Sequence, residues 1–175
     1  ESRTASTRLV AERMAEVAGD GGPRVLVSAS AVGYYGDRGD EPLDESSRPG
    51  GGFLSDICVA WEAATEPAVD AGVRVAVLRT GIVLDGERGA LPKMLPLFKL
   101  GVGGPFGSGR QWFSWIALAD EISAIEFLLD RDVRGPVNAV APNPVTNKEF
   151  ARTLGAVLRR PAWLPAPAFA PRLLL

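Results

Sequence analysis

Two short apolar runs, residues 24–30 (RVLVSAS) and 73–78 (VRVAVL), most constrain what this chain can fold into, because of what separates them. Each is short and nearly continuously hydrophobic, as a strand buried on both faces is. Between them lie a glycine-rich stretch and a segment, 53–71, in which Phe53, Leu54, Ile57, Cys58, Trp61, Ala64 and Ala68 share one helical face. A strand, a long connection containing a helix, and a second strand imply neighbouring parallel strands joined by a right-handed crossover. The fold class is therefore α/β.

Around this unit the pattern continues. Residues 3–18 place Leu9, Val10, Met14 and Val17 on one face of an amphipathic helix, which Gly19, Gly21, Gly22 and Pro23 stop. The segment 53–71 reads as one helix, kinked at Pro67 and capped by Gly72. Beyond residue 89, ALPKMLPLFKL reads as a short helix interrupted at Pro92 and Pro96, and 102–118 as a glycine-turned pair of short strands. Asp120 is the expected N-cap of a helix to about residue 129, carrying Ile122, Ile125, Leu128 and Leu129. Residues 135–140 give a third buried strand. Thr146 and Glu149 form a capping box ahead of a last helix with Phe150, Leu154, Val157 and Leu158. The tail from Pro161 is proline-rich. A chain that opens on Glu1 inside a helical pattern and stops on Leu173, Leu174 and Leu175 reads as a fragment of a longer protein.

Composition excludes several chemistries. The chain has no His and one Cys, so it supplies no Ser-His-Asp triad, no His base, no His-containing zinc site and no internal disulfide. Acid–base work falls to Tyr, Lys, Asp, Glu or Cys. With 19 basic against 21 acidic residues, neither nucleic acid nor an anionic membrane is an expected partner. No apolar run reaches the roughly 18 residues of a membrane span and the start lacks a signal-peptide core, so a cytoplasmic protein is expected. The long loop after the first strand is of a length that is usually functional or mobile. Its charged stretch 37–44 reads as solvated, and no metal site is expected.

Four segments, SASAVGYYG at 28–36, GGFLSDICVAWEAA at 51–64, RVAVLRTGIVL at 74–84 and GGPFGSGRQWFSWI at 103–116, together resemble the epimerase-like, atypical branch of the extended short-chain dehydrogenase/reductases. APNPVTNKEFARTL at 141–154 fits the same family. The resemblance implies the C-terminal part of a Rossmann-like parallel sheet domain plus a small substrate-binding subdomain. Residues 1–84 then match the second half of the dinucleotide-binding domain. Residues 85–175 match the substrate-binding part, with a strand and helix at about 130–160 returning to the main domain. The family's glycine-rich turn would lie upstream of Glu1, on the order of 100 residues away. No G-x-G-x-x-G stands between a strand and a helix here; GDGGP at 19–23 runs from helix into strand and reads as a turn.

The resemblance also implies a site. In active relatives a Ser at the strand end binds the substrate oxygen, and a Tyr-x-x-x-Lys on the next helix transfers the proton, the Lys charge lowering the Tyr pKa. Ser30 matches the Ser, with Ser28 and Ala29 beside it toward the cofactor, although a buried serine serving only the backbone fits equally. Leu54 and Cys58 stand where Tyr and Lys belong; neither can do the work, and both read as core residues. Tyr34 is the candidate replacement phenol and Tyr35 a candidate substrate contact. Arg79, Thr80 and Gly81 leave a strand end where open α/β sheets bind ligands, and Arg79 either grips ligand or pairs with a structural carboxylate. Arg110, Gln111, Trp112 and Trp115 suit a planar or sugar-like ligand or fill a core. The expected cofactor is NADP in preference to NAD. The expected function is that of an epimerase- or reductase-like protein acting on an unknown small, sugar-nucleotide-like molecule. The alternative is a catalytically silent nucleotide-binding sensor or interaction protein. A homodimer through the helices 3–18 and 53–71 is expected on the same ground.

Overall fold

The structure, a computed structural model, describes residues 2–164. Helix α1 (Ser2–Val17) leads into strand β1 (Val25–Ala31), a 3-10 turn (Val32–Tyr35) and an irregular loop to residue 52. Then come α2 (Phe53–Ala63), α3 (Glu66–Asp70), β2 (Arg74–Thr80), β3 (Ile82–Leu84) and α4 (Ala90–Lys99). Strands β4 (Trp112–Phe113) and β5 (Trp115–Ala117), helix α5 (Leu118–Asp130), strands β6 (Gly135–Ala139) and β7 (Val145–Thr146), and helix α6 (Asn147–Leu158) complete the described chain. These elements divide into two compact units. The first runs to Gly81 and takes up Ala119–Ala139; the second holds Ile82–Leu118 and the residues from Val140 on. The proline-rich tail beyond residue 164 lies outside the described residues.

The first unit is built on a parallel sheet in the order β1-β2-β6, as the crossover argument requires. Strand alternation sends Val75 and Val77 to one face, where they pack with Val73, with Ala11 and Met14 of α1 and with Ala68 of α3. Burial of each large side chain there contributes about 1.5–3 kcal/mol. On the alternate parity, Arg74 donates to the carbonyls of Leu128 at 2.6 Å and Leu129 at 2.7 Å, satisfying the C-terminal end of α5 and placing a cation where the helix dipole favours one.

Four expectations are corrected here. The buried stripe of α1 is Ala11 and Met14, whereas Leu9 is 61% exposed and Val10 and Val17 are also exposed. Hydrophobic spacing alone does not say which of two adjacent stripes meets the sheet. Residues 53–71 are two helices, not one kinked helix: a proline ring at 67 would clash with the carbonyl of residue 63, so the chain breaks at Ala64–Thr65 and Pro67 falls in the first turn of α3. Asp120 lies within the first turn of α5, which begins at Leu118, so it is not the cap; of the four apolar residues read into that helix, Leu128 is buried and Ile122 and Leu129 are exposed. Finally, β4 and β5 do not pair with each other. Only Ser114 separates them, too little for a hairpin turn.

In the second unit β5 instead runs parallel to β3, and β4 pairs antiparallel with β7. Helix α4 continues through Pro92 and Pro96. Pro92 sits in the first turn, where its missing N–H has no helical partner. Met94 and Phe98 of α4 and Ala151 of α6 form the core of this unit, with Phe106, Phe150 and Leu154 packed around them. Phe113 stacks on Phe150 at 4.3 Å between ring centres. No helix among the described residues is long and apolar enough to cross a membrane.

Helix α6 opens on the capping box read from the sequence: Thr146 Oγ1 accepts from the Glu149 amide, and Glu149 Oε2 accepts from the Thr146 amide at 2.7 Å. The backbone and then the side-chain hydrogen bonds of Thr146 hold the Glu149 carboxyl below its usual pKa. Thr146→Ala is expected to lose about 1 kcal/mol in urea denaturation at neutral pH. A depressed carboxyl stabilises above its unfolded pKa and loses that contribution as pH falls through its folded one. The gap between wild type and variant therefore narrows in acid.

Candidate functional site

Parallel pairing sets Ser30, near the carboxyl end of β1, beside Arg79 of β2 in direct register, so both side chains emerge on the same face. Helix α2 crosses that face and brings Glu62 between them. Glu62 accepts a forked pair of bonds from Arg79, Nε to Oε1 and Nη2 to Oε2, both at 2.9 Å. Ser30 Oγ donates to the same Oε1 at 2.7 Å. Arg79 is only 3% exposed. Burial opposes its charge, but the hydrogen bonds and charge of Glu62, joined by Tyr35, more than offset this and raise its pKa above the ordinary guanidinium value. Of the two readings the sequence left for Arg79, the structure gives the carboxylate partner.

The remaining guanidinium nitrogen, Nη1, donates to the Tyr35 hydroxyl at 3.0 Å, and Tyr35 in turn donates to Asn138 Oδ1 at 2.6 Å. Tyr35 is buried, with its phenol oxygen occupied on both sides. Tyr34 is half-buried; its ring lies 3.5 Å from the Arg79 guanidinium carbon, a cation–π contact. The two rings meet edge to face at 5.4 Å.

The loop after the 3-10 turn is tied down at two places. Glu45 Oε1 accepts from the Asn138 amide at 2.8 Å, while its carbonyl faces Arg79 Nη1 at 3.4 Å. Farther on, the Gly50 amide bonds Tyr34 O, and the buried Ser55 hydroxyl reaches both Tyr34 O and Gly50 O. The approach at Gly50 is so close that a Cβ there would stand 2.1 Å from Tyr35 O.

Cys58 is buried, as expected of a core residue, but Leu54 is 68% exposed, which corrects the expectation that both belong to the core. The two residues flank the 3-10 turn: a Cβ built on Gly33 would lie 3.8 Å from each. Burial raises the Cys58 pKa, with the Glu62 charge adding to it, against lowering contributions from the Ala31 backbone, Ser30 and Arg79. Cys58 is thus held as a thiol. Ser28 is buried and Ala29 exposed on the same strand.

At the end of β2, Thr80 Oγ1 donates to Glu121 Oε1 of α5 at 2.7 Å, and the Gly81 amide bonds Ala139 O. Glu121 is buried, and its Oε2 has no hydrogen-bond partner. In the second unit, Gln111 Nε2 donates to Phe106 O, Trp112 and Arg110 are exposed, and Trp115 is half-buried in β5. The Asn147 side chain accepts from the Phe106 amide at 2.7 Å.

Sequence reasoning missed Glu62, Glu45, Asn138 and Glu121. Glu62 carried a readable signal: it lies four residues after Cys58, on the same buried stripe of α2, where a carboxylate requires a cation. Glu45 and Asn138 carried none, since their contacts span residues 93 apart in the chain.

No family model matches the chain. An epimerase family protein of Mycobacterium bovis is 44% identical over 173 residues, 98% of this chain and 56% of the relative. The crystal structure of the human epimerase family protein SDR39U1 with NADPH is 38% identical with a TM-score of 0.89, over 99% of this chain and 59% of that one. A nucleoside-diphosphate sugar epimerase from Corynebacterium glutamicum is 45% identical with a TM-score of 0.79, over 98% of this chain and 38% of that one. The chain spans just over half the length of the curated mycobacterial relatives it matches.

The Glu62–Arg79 pair generates a stability prediction. Arg79→Met leaves Glu62 charged and unpaired, and should cost about 3–5 kcal/mol in denaturant unfolding. Glu62→Leu combined with Arg79→Met should recover at least half of that loss; a double variant no more stable than the single one would remove the ion pair as the cause.

Proposed function

We propose, for a chain that is a homologue of the epimerase family proteins and shares their short-chain dehydrogenase/reductase fold, a role as part of a nicotinamide-dinucleotide-binding, epimerase- or reductase-like protein. NADP is the preferred cofactor over NAD, and the substrate is a small molecule of sugar-nucleotide type. The observation that carries this reading is the parallel β1–β2 pair with Ser30, Arg79, Thr80 and Gly81 at its carboxyl ends, the edge at which open α/β sheets bind nucleotides. The relative crystallised with NADPH supports it.

The described residues fit one end of such a cofactor. Exposed Phe53 and Leu54 offer apolar surface next to the 3-10 turn that suits the flat nicotinamide ring. Arg79 turns Nε and Nη2 on Glu62 and Nη1 on Tyr35, and no G-x-G-x-x-G stands between a strand and a helix in this sequence. When bound, the nicotinamide supplies hydride transfer. This chain's residues then have the tasks of orienting the ring and the substrate and excluding water. Ser30 holds its position through Glu62, and Arg110, Gln111, Trp112 and Trp115 are the proposed substrate contacts of the second unit.

A second reading, a catalytically silent nucleotide sensor, is favoured by one specific arrangement. Leu54 and Cys58 cannot exchange a proton with substrate near neutral pH, and the Tyr35 hydroxyl has both its partners already. Calorimetric titration of NADPH and NADH into the full-length gene product is expected to give the tighter binding with NADPH. Absence of heat with both would overturn the dinucleotide reading. NADPH binding with neither reduction of carbonyl compounds nor epimerisation of sugar nucleotides would select the sensor.

Homodimerisation through α1 and α2 belongs to the same proposal, and the exposed Leu9 and Val10 of α1 and Val59 of α2 support it. Sedimentation at high micromolar concentration should show a dimer; a monomer throughout would count against it.

A further inference from the structure

The three strands of the parallel sheet start alike. Arg24 directly precedes β1, Arg74 is the first residue of β2, and Arg134 directly precedes β6. Pairing in the order β1-β2-β6 lines these starts up along one edge, and the Arg74 amide bonds the Arg24 carbonyl at 2.9 Å. A cavity of about 410 Å³ opens there, lined by the three arginines and by Asp132, Ala18 and Gly72 among others. Its volume falls in the range of small-molecule sites. Arg74 is fixed in its wall: the side chain is 11% exposed, with Nη1 donating to the carbonyls of Leu128 and Val133 and Nη2 to that of Leu129. Its Nε stands 3.9 Å from Asp132 Oδ1, too far for a hydrogen bond. Arg134 Nε approaches the same oxygen at 3.3 Å, and Asp132 is 77% exposed. Arg24 is exposed, with no ion-pair partner among the described residues. Three guanidinium groups thus share one loosely held carboxylate, an excess of two positive charges at one cavity.

We propose that this cavity is an anion site that takes a phosphate group, carried by a small phosphomonoester or free in solution. Like charges gathered at one place repel, and an anion entering among them relieves that repulsion. Guanidinium groups also match phosphate oxygens in geometry, two parallel N–H bonds at a time. Arg24 and Arg134 supply the adaptable donors, and Arg74, held by three carbonyls, keeps its Nε for the ligand. The site is separate from the carboxyl end of the sheet, where a dinucleotide is proposed to bind. Arg74 and Thr80 are the two ends of β2, about 20 Å apart at roughly 3.3 Å per residue. The proposal therefore adds a second ligand to the protein and does not rest on the first.

The test is equilibrium dialysis of the full-length protein against radiolabelled inorganic phosphate, glucose 6-phosphate and glucose, each with NADPH present and absent. Both phosphates should bind and glucose should not. Arg24→Gln combined with Arg134→Gln removes two exposed guanidinium groups and should weaken phosphate binding about tenfold or more. Arg74 is left in place because it holds the end of α5. Asp132→Asn removes the one carboxylate of the cavity and should tighten phosphate binding, a gain that a damaged fold does not give. Glucose 6-phosphate binding more tightly than phosphate identifies a phosphomonoester as the ligand; binding equal or weaker identifies free phosphate. The proposal is overturned if neither phosphate binds, if the arginine double variant keeps wild-type affinity, or if NADPH displaces the phosphate and so places it at the other end of the sheet. The variants locate the anion whether or not NADPH binds, so this site and the dinucleotide reading fail separately.

Discussion

The forked ion pair between Glu62 and Arg79 is the contact on which the candidate site depends. A guanidinium buried as deeply as Arg79 is costly without a partner, and Glu62 meets it with two parallel bonds of near-ideal length. Four segments of the chain are joined by this one contact. Helix α2 supplies the carboxylate, β2 the cation, β1 the serine, and the 3-10 turn the phenol that takes the last nitrogen. Through Tyr35 and Glu45 it extends to Asn138 on β6, so all three strands of the parallel sheet are linked at one end. The segment that carries Tyr35 and Glu45 lacks regular ladder bonds, and a network of this kind is a physical reason for it to hold one conformation.

What could be read from the sequence follows the range of the forces involved. The parallel crossover was legible because both strands are short, nearly continuous apolar runs and the connection between them is long, two properties local to each segment, although β1 leaves Ala29 exposed where both its faces were expected to be buried. The capping box at Thr146 was legible for the same reason, its partners being three residues apart. The break at Ala64–Thr65 was half legible: Pro67 announced a disturbance, but whether the helix bends or ends depends on how Ala68 seats against Met14 and Val77. The pairing of β4 with β7 and of β5 with β3 was not legible, because strands of two or three residues carry no pattern that selects a partner.

The site divides in the same way. Ser30 and Arg79 were identified as residues that matter, since a serine and an arginine near the ends of apolar strands need an explanation. The sequence left the partner of Arg79 open, and the answer lay on a helix seventeen residues back, in a glutamate one turn beyond the buried Cys58. Leu54 misled because its spacing places it with Cys58. Residue 54 is in the first turn of α2, beside the 3-10 turn, where helical periodicity persists but leaves the side chain 68% exposed.

These two side chains, together with the direction of the Ser30 bond, give the site a consistent chemical character. In a proton-transferring site a lysine charge keeps a phenol acidic. Here residues 54 and 58 of α2 are an exposed leucine and a buried thiol whose pKa burial raises, while Arg79 is paired with its own carboxylate. The positive charge that could have activated a phenol is spent on holding Glu62, and Glu62 in turn draws the serine proton inward. Reversing the hydrogen-bond direction at Ser30 would therefore take more than replacing the serine. It would require a different partner for Arg79, because both Glu62 oxygens accept from that buried guanidinium and the one beside Ser30 accepts from the serine as well.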